Sequence, residues 1–187
     1  MGALTGLAWT PHCDGGRIAH VLVATDGKLD AELAARFAAP LAGPEGQVTA
    51  LTVVEIPRRL LADLRSVFGE MPATHVDSDA EYVGVGDAGH DPVGWPGDDA
   101  IIKRYLGDKL SERCGPLAEA LRDSGVATTT KVVEGEHPAK VIVEMAAEIE
   151  ADVCVIGAHG QGLFEGLLGS VGTKVTRQAE CPVLVMR

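Results

Sequence analysis

The sequence predicts an α/β fold in which an open, five-stranded parallel sheet carries helices on both faces. Two observations lead to this class. Short, near-continuous apolar runs alternate along the chain with longer segments whose apolar residues have helical spacing. The apolar runs are short enough for strands buried on both faces, as in parallel sheets covered by helices. At 187 residues and 19.5 kDa, the chain is long enough for one domain with a sizeable core.

The first strand and helix follow an N-terminal segment with little periodicity. Residues 1–17 contain Gly and Pro and are expected to form a flexible arm. Ile18–Thr25 is a near-continuous apolar run and predicts a strand, and Asp30–Leu41 has helical spacing. We expect Pro40 and Gly43 to end this helix. Its predicted apolar stripe consists of Leu29, Leu33, Phe37 and Leu41.

A second strand precedes a segment of different character. Gln47–Ile56 predicts the strand, which Pro57 stops, and residues 58–68 have helical spacing. Residues 71–100 contain seven acidic residues, five glycines and three prolines, but no Lys or Arg. This composition predicts a solvated acidic loop inserted into the domain, which otherwise occupies residues 18–187.

The second half of the chain again alternates helices and strands. Ala100–Ser124 has helical spacing, and we expect Gly115-Pro116 to kink or split this helix. Thr128–Val133 is rich in β-branched residues and predicts a strand. Pro138–Glu150 predicts a helix with proline in its first turn. The remaining predicted elements are the strand Asp152–Ile156, the helix Val171–Ala179 and the strand Pro182–Met186.

Right-handed crossovers leave only a few strand orders, although periodicity does not choose among them. We adopt the order 3-2-1-4-5, which places strands one and four side by side where the winding reverses. Ligands of open α/β sheets bind at such a point, beyond the carboxyl ends of the strands. Asp26 and Gly157 would occupy those two ends. Glycines after the fourth strand would let main-chain N–H groups face an anion, so the sequence predicts a nucleotide pocket.

Composition and charge narrow the classes of function. The net charge of −11 and an aromatic content of 4% disfavour nucleic-acid binding. No apolar run approaches the roughly 20 residues that span a bilayer. Residues 1–16 contain no Lys or Arg before their mild apolar patch, so a signal peptide is not predicted and a cytoplasmic location is the simplest expectation. The histidines lack metal-ligand spacing. Reduced, mostly buried thiols are predicted for Cys13, Cys114, Cys154 and Cys181.

Four segments together carry a resemblance to a known family. They are residues 21–27 (Val-Leu-Val-Ala-Thr-Asp-Gly), 51–55 (Leu-Thr-Val-Val-Glu), 132–135 (Val-Val-Glu-Gly) and nearly all of 138–187. With them the chain resembles the universal stress protein family, within the wider group of adenine-nucleotide-binding α/β folds. The resemblance covers about residues 18–70 and 100–187, and it leaves the arm and the acidic insertion unmatched.

The glycine motif departs from the family pattern by one residue. Nucleotide-binding members carry Gly-x-x-Gly, nine further residues, then Gly followed by Ser or Thr. Here Gly157 and Gly160 precede Gly169-Ser170, with eight residues between Gly160 and Gly169. The shortfall lies in the loop that would face the phosphates. In addition, Lys28 stands where a small Ser or Thr usually follows the Asp-Gly pair.

The resemblance implies a role for each matching residue. Asp26 would accept hydrogen bonds from adenosine, although a turn or helix-capping carboxylate is the alternative. Val53 would offer main-chain groups and apolar surface to adenine, or else would simply belong to the core. Gly157 would lie against the ribose. The full predicted nucleotide-binding set is Thr25, Asp26, Val53, Ile156, Gly157, His159, Gly160, Gly169, Ser170 and Val171, with no catalytic residue and no protein-bound metal.

Three functions remain open from the sequence. The first is a cytoplasmic stress-response regulator that binds ATP, ADP or AMP, with Mg²⁺ held through the phosphates. The second is an interaction module of the same family that binds no nucleotide. A slow ATPase or adenosine-phosphate hydrolase is least favoured, because no general base can be assigned near the phosphates. The family also implies a homodimer through the final strand, Pro182–Met186.

Overall fold

The computed structural model describes residues 18–56, 98–158 and 168–187. Within them, nine elements follow one another: β1 (His20–Ala24), α1 (Ala31–Ala42), β2 (Gln47–Val54), α2 (Asp98–Asp123), β3 (Ala127–Glu134), α3 (Pro138–Glu148), β4 (Val153–Gly157), α4 (Ser170–Gln178) and β5 (Val183–Met186). The predicted arm at 1–17, the helical segment at 58–68 and residues 71–97 of the predicted insertion lie outside the described residues.

The five strands form one parallel sheet with the order β3-β2-β1-β4-β5, which confirms the predicted topology. The central strand is β1, where Leu22 pairs with Thr49 of β2 on one side and with Cys154 of β4 on the other. The chain winds outward from β1 to β3 and then returns to β4 and β5. The reversal therefore falls between β1 and β4, and a crevice lies beyond their carboxyl ends.

The hydrophobic core has one cluster on each face of the sheet. Val21 and Val23 of β1 belong to the cluster that contains α1 and α2. Leu22 and Ala24 belong to the cluster that contains α3 and α4. Because successive side chains of a strand point to opposite faces, a strand covered on both faces must be apolar at every position. This explains why the first apolar run of the sequence is continuous.

Helix α1 has a capping residue at each end. The Asp30 carboxylate accepts a hydrogen bond from the Leu33 N–H at 2.9 Å, and Gly43 follows the helix with φ of 70°. Pro40 lies inside the helix, so the prediction that Pro40 ends it is wrong and Gly43 alone does so. The Gly43 N–H still reaches the Ala39 carbonyl, at 3.0 Å, so the last turn closes despite the proline.

The buried face of α1 is also different from the predicted stripe. Phe37 is 51% exposed, whereas the leucines of that stripe are only partly buried at its margin. The fully buried positions are the four alanines Ala34, Ala35, Ala38 and Ala42. Small side chains let the axis of α1 lie close to the sheet. The larger leucines then pack at the margin of the interface between helix and sheet rather than at its centre.

Helix α2 is a single element of 26 residues that passes through Pro116, so the helix is not split there. It begins at Asp98 and thus includes the last residues of the segment predicted as a loop. Cys114, Leu117 and Leu121 are buried against the sheet on both sides of the proline. This packing holds the helix together although proline removes one backbone hydrogen bond. Residues 98–105 of α2 belong to a compact unit separate from the one that contains the sheet.

The three described cysteines are free thiols, as predicted, while Cys13 lies outside the described residues. Burial raises the pKa of Cys114 to about 11 and that of Cys154 to about 12. Burial also raises the pKa of the half-buried Cys181. Among the described residues, no helix combines the length and the apolar character needed to cross a membrane.

Candidate functional site

The candidate site lies where β1, β2 and β4 reach their carboxyl ends. Ala24 of β1 pairs with Ile156 of β4, so the two strands end side by side. Asp26 lies two residues beyond Ala24, and Gly157 is the last residue of β4. The fold therefore brings the two strand ends of the predicted pocket to one edge of the sheet.

A tight turn follows β1 and uses both of its polar side chains. The Thr25 N–H extends the β1–β2 ladder by donating to the Leu51 carbonyl at 2.9 Å. Thr25 Oγ1 accepts from the Gly27 N–H at 3.0 Å, and Asp26 Oδ1 accepts from the Lys28 N–H at 3.1 Å. One Asp26 oxygen thus serves the turn. The side chain is half-exposed, and a carboxylate accepts several hydrogen bonds, so Asp26 retains capacity for a ligand.

Strand β2 continues past the end of β1 and exposes main-chain groups there. The Leu51 carbonyl faces β1, whereas the Val54 carbonyl faces β3 and accepts from the Gly135 N–H at 3.1 Å. Alternate residues of a parallel strand direct their N–H and C=O groups to opposite neighbours. The N–H and C=O of Val53 therefore both point toward the β1 side, above the end of that strand. This residue presents a donor and an acceptor to the crevice.

Arg113 of α2 reaches the same place, although this residue is absent from the predicted nucleotide-binding set. Its Nη1 donates to the Val53 carbonyl at 3.1 Å in a partly buried hydrogen bond. The stem of the Arg113 side chain packs against the turn after β1: a Cβ atom at Gly27 would lie 3.1 Å from Arg113 Cγ. The available signal was position: Arg113 stands three residues after Leu110 and four before Leu117, on the apolar stripe of α2.

The start of α4 is tied to the end of β4. Gly169 donates its N–H to the Ala158 carbonyl at 3.0 Å, and Thr173 donates to the Gly169 carbonyl at 2.8 Å. The N–H groups of residues 170–172 consequently have no acceptor within the helix. Ser170 is exposed, and the first turn contains no acidic residue. The positive end of the helix dipole is thus presented at the same edge of the sheet, as an anion site requires.

Close packing brings α4 against β4. A Cβ atom at Gly172 would lie 2.7 Å from Leu168 Cδ1 and 3.5 Å from Ile156 Cδ1. Glycine at this position lets the first turn of the helix approach the strand. Beside it, a depression of about 520 Å³ is lined, among the described residues, by Ala158, Leu168, Val185 and Arg187. Its volume lies within the range of small-molecule sites, but these residues are on the β4–β5 side rather than beside Val53.

Most of the predicted site residues come together at this edge. His159 and Gly160 lie outside the described residues. Ile156 is 3% exposed and packs in the core, so only its main chain is close to the crevice. The others occupy the ends of β1, β2 and β4 and the start of α4: Thr25, Asp26, Val53, Gly157, Gly169, Ser170 and Val171. No cluster of three or more metal-ligating side chains is formed within the described part of the chain.

Comparison with known sequences identifies related proteins. The model of the universal stress protein family matches residues 18–187. Universal stress protein Rv2623 of Mycobacterium tuberculosis is 30% identical over 171 residues, which cover 90% of this chain and 45% of that protein. Universal stress protein MJ0531 of Methanocaldococcus jannaschii is 37% identical over 98 residues, covering 51% of this chain and 57% of the relative. The matches span about half the length of these curated relatives.

Comparison with solved structures shows the same fold. The structure of hypothetical protein MJ0577 has a TM-score of 0.59 and 21% identity, covering 90% of this chain and 95% of the other. A universal stress protein from Archaeoglobus fulgidus in complex with dAMP has a TM-score of 0.51 and 24% identity, covering 90% and 98%. A family protein from Arabidopsis thaliana with AMP bound has a TM-score of 0.52 and 15% identity, covering 90% of each chain.

Proposed function

The chain belongs to the universal stress protein family, and from this premise we propose that it binds an adenine nucleotide beyond the carboxyl ends of β1, β2 and β4. One observation carries the proposal. The main-chain donor and acceptor of Val53, the Asp26 carboxylate and the N-terminus of α4 share one edge of the sheet. In the cell, we propose a regulatory role in the stress response, with ATP, ADP or AMP as the ligand.

The Val53 main chain suits the edge of an adenine base. Adenine presents a ring-nitrogen acceptor next to its 6-amino donor, and Val53 presents an N–H and a C=O on the same side of β2. The half-buried Val53 side chain adds apolar surface. Asp26, with one oxygen in the turn, would accept from ribose hydroxyls through the other. Gly157 has no side chain to prevent close approach of the sugar.

The N-terminus of α4 suits the phosphates. The N–H groups of residues 170–172 and the exposed Ser170 hydroxyl are donors at the positive end of a helix. We assign His159 and Gly160 to the same phosphate site as part of the proposal. Mg²⁺ commonly binds through substrate phosphates and water rather than through an all-protein cage. We therefore propose that any Mg²⁺ is held by the phosphates.

The bound ligands of two structural neighbours support this reading. The Archaeoglobus fulgidus protein holds dAMP and the Arabidopsis thaliana protein holds AMP, and both have the same fold as this chain. Their identities of 24% and 15% establish the fold alone, so the ligand is transferred here as part of the proposal.

Calorimetric titration of the purified chain with AMP, ADP and ATP tests the proposal. Asp26→Asn is the informative variant, because asparagine can keep the turn to Lys28 while it removes the charge. We expect the Kd for each nucleotide to rise by about tenfold, as for loss of one charged hydrogen bond. The exposed Asp123→Asn provides the matched control and should leave the Kd unchanged. Absence of binding for all three nucleotides contradicts the proposal.

The dimer and the cellular location are proposals of the same kind. β5 is an edge strand of the sheet, and one of its sides carries backbone groups without a neighbouring strand in the described chain. Pairing of Pro182–Met186 with a second copy across a two-fold axis would cover them. Light scattering that gives the mass of one chain would contradict the dimer. We also propose a cytoplasmic location, which cell fractionation would check.

A second candidate function is an interaction module that binds no nucleotide. The hydrogen bond from Arg113 to the Val53 carbonyl favours it, because one lone pair of that acceptor is already engaged. The glycine motif, one residue short between Gly160 and Gly169, favours it as well. If the chain is such a module, it should capture a protein partner, and deletion of residues 71–100 should abolish that capture.

Slow ATP hydrolysis remains the least favoured function. It is tested by comparing the ATP turnover of the wild type with that of Ser170→Ala.

A further inference from the structure

We propose that Arg113 competes with the ligand for the Val53 carbonyl and so weakens binding of a base that carries an amino donor. This inference rests on the proposed adenine site and names a regulator built into it. The guanidinium already makes the hydrogen bond, at 3.1 Å, that the 6-amino group of adenine would make. The carbonyl oxygen has two lone pairs, but both donors would approach it from the β1 side. We therefore infer that a base with that amino group displaces the guanidinium, whereas a base without it leaves the guanidinium in place.

The carbonyl in question is defined by the end of β1. The last pair of β1 and β2 joins Ala24 and Leu51, and the Thr25 N–H still reaches the Leu51 carbonyl. Two residues farther along β2, Val53 directs its C=O to the same side, where β1 no longer supplies a donor. Arg113 supplies that donor from α2. The Arg113 side chain thus provides the hydrogen bond that a longer β1 would otherwise donate to Val53.

The position of the guanidinium is set by the packing of its stem. A Cβ atom at Gly27 would lie 3.1 Å from Arg113 Cγ and 3.6 Å from its Cα, so the stem runs directly against this turn. Gly27 has φ of +92°, which disfavours any side chain at the position. The neighbouring Cys114 and Leu117 are buried and fix this part of α2 to the sheet. Displacement therefore requires rotation of the Arg113 side chain and not movement of the helix.

Arginine is suited to such competition. Its guanidinium carries a positive charge and offers five N–H donors but no acceptor. It can therefore hold a carbonyl oxygen but cannot receive a hydrogen bond from an amino group. A hydrogen bond that involves a charged group is stronger than a neutral one, so the incoming amino group exchanges a strong contact for a weaker one. The expected consequence is lower affinity for adenine than the rest of the site would permit.

The test uses Arg113→Met, which removes the donors and retains most of the stem that packs on Gly27. AMP is compared with purine riboside 5′-monophosphate, which lacks the 6-amino group. We expect Arg113→Met to bind AMP about tenfold more tightly than the wild type, from loss of one charged competitor. Binding of the purine riboside nucleotide should change by less than about twofold. Arg122→Met, an exposed arginine of the same helix, should change neither affinity.

Each outcome decides between the two proposals. If Arg113→Met binds AMP with the same affinity as the wild type or more weakly, the competition is overturned while the proposed nucleotide site stands. Weaker binding would mean that Arg113 contacts the ligand. Binding of AMP by Arg113→Met alone, with none by the wild type, supports the competition and shows that the native chain is closed to AMP. Failure of both proteins to bind millimolar AMP overturns both proposals. If Arg113→Met does not fold, the same titrations with Arg113→Gln give the decision, since glutamine also removes the charge.

Discussion

His20 Nε2 lies 2.8 Å from Thr49 Oγ1, and this contact joins β1 to β2 at the end of the sheet opposite the candidate site. His20 Nδ1 is 3.2 Å from Gln47 Nε2, which can only donate. The Gln47 contact places an N–H donor beside Nδ1, and burial of the ring favours its neutral form. Asp152, buried at 4% exposure, accepts from the main-chain N–H groups of Ala19 and His20 beside it.

Burial of the His20 ring predicts that the stability of the fold is sensitive to acid. Burial lowers the pKa of His20 below its usual value of 6.5, against the opposing influence of Ile149 and Asp152. The folded state thus binds fewer protons than the unfolded state, so this contribution is present above pH 6.5 and is lost as the pH falls toward and through the folded pKa. Urea unfolding at about pH 7.5 and pH 5 should show a smaller decrease for His20→Gln than for the wild type. An identical decrease in both proteins would refute this, and the exposed His137→Gln is the control.

We expect valine substitutions at two threonines of β2 to change the stability of the fold in opposite directions. Thr52 is fully buried, and its Oγ1 has no hydrogen-bond partner within the described chain. Thr49 is equally enclosed but contacts His20. We expect Thr52→Val to raise the free energy of unfolding by about 1 kcal/mol and Thr49→Val to lower it by about 1–2 kcal/mol. Chemical denaturation measures both, and a loss of stability in Thr52→Val would show that its hydroxyl is satisfied.

Among the glycines that the structure describes, Gly46 tolerates a side chain least. A Cβ atom there would lie 2.1 Å from the Ala42 carbonyl oxygen and 2.7 Å from that of Ala19, and neither backbone atom can rotate away. We expect Gly46→Ala to destabilise the fold by roughly 2–4 kcal/mol. Gly107 in α2 has nothing within 4 Å of its Cβ position and is not followed by proline, so Gly107→Ala should stabilise the fold by about 0.5–1 kcal/mol. Thermal unfolding distinguishes them, and equal midpoints would contradict the argument.

The buried thiols predict slow alkylation. Burial raises the pKa of Cys114 to about 11 and that of Cys154 to about 12, so almost no thiolate is present at neutral pH. Iodoacetamide should modify these two only as the chain unfolds, whereas the half-buried Cys181 should react earlier. Mass spectrometry of peptides after timed labelling, with and without urea, follows each site. Rapid labelling of Cys154 in the native protein would contradict its burial.

The fold was predictable to a large extent because strand and helix periodicity is local. The apolar run Ile18–Thr25 predicted a strand that the structure ends at Ala24, and the Gly169-Ser170 pair predicted a helix start. Both lie at the edge of the sheet that holds the candidate site. The errors have a physical pattern. Helical spacing gave a stripe through Phe37, but the sheet selected the alanine face beside it. Proline rules applied to Pro40 and Pro116 omitted the packing that keeps both helices intact.

The sequence by itself determined which segments become strands, that β1 is buried on both faces, and which residues follow the strand ends, because these properties depend on neighbours in the chain. Only the tertiary structure decided that the Val53 carbonyl points toward the space beyond the end of β1. It also decided that the Arg113 guanidinium lies in that space and donates to this carbonyl. That relationship joins residues 60 positions apart through the turn at Gly27. Periodicity assigns a residue to a face, but the packing of three separate elements decides which atom it meets there.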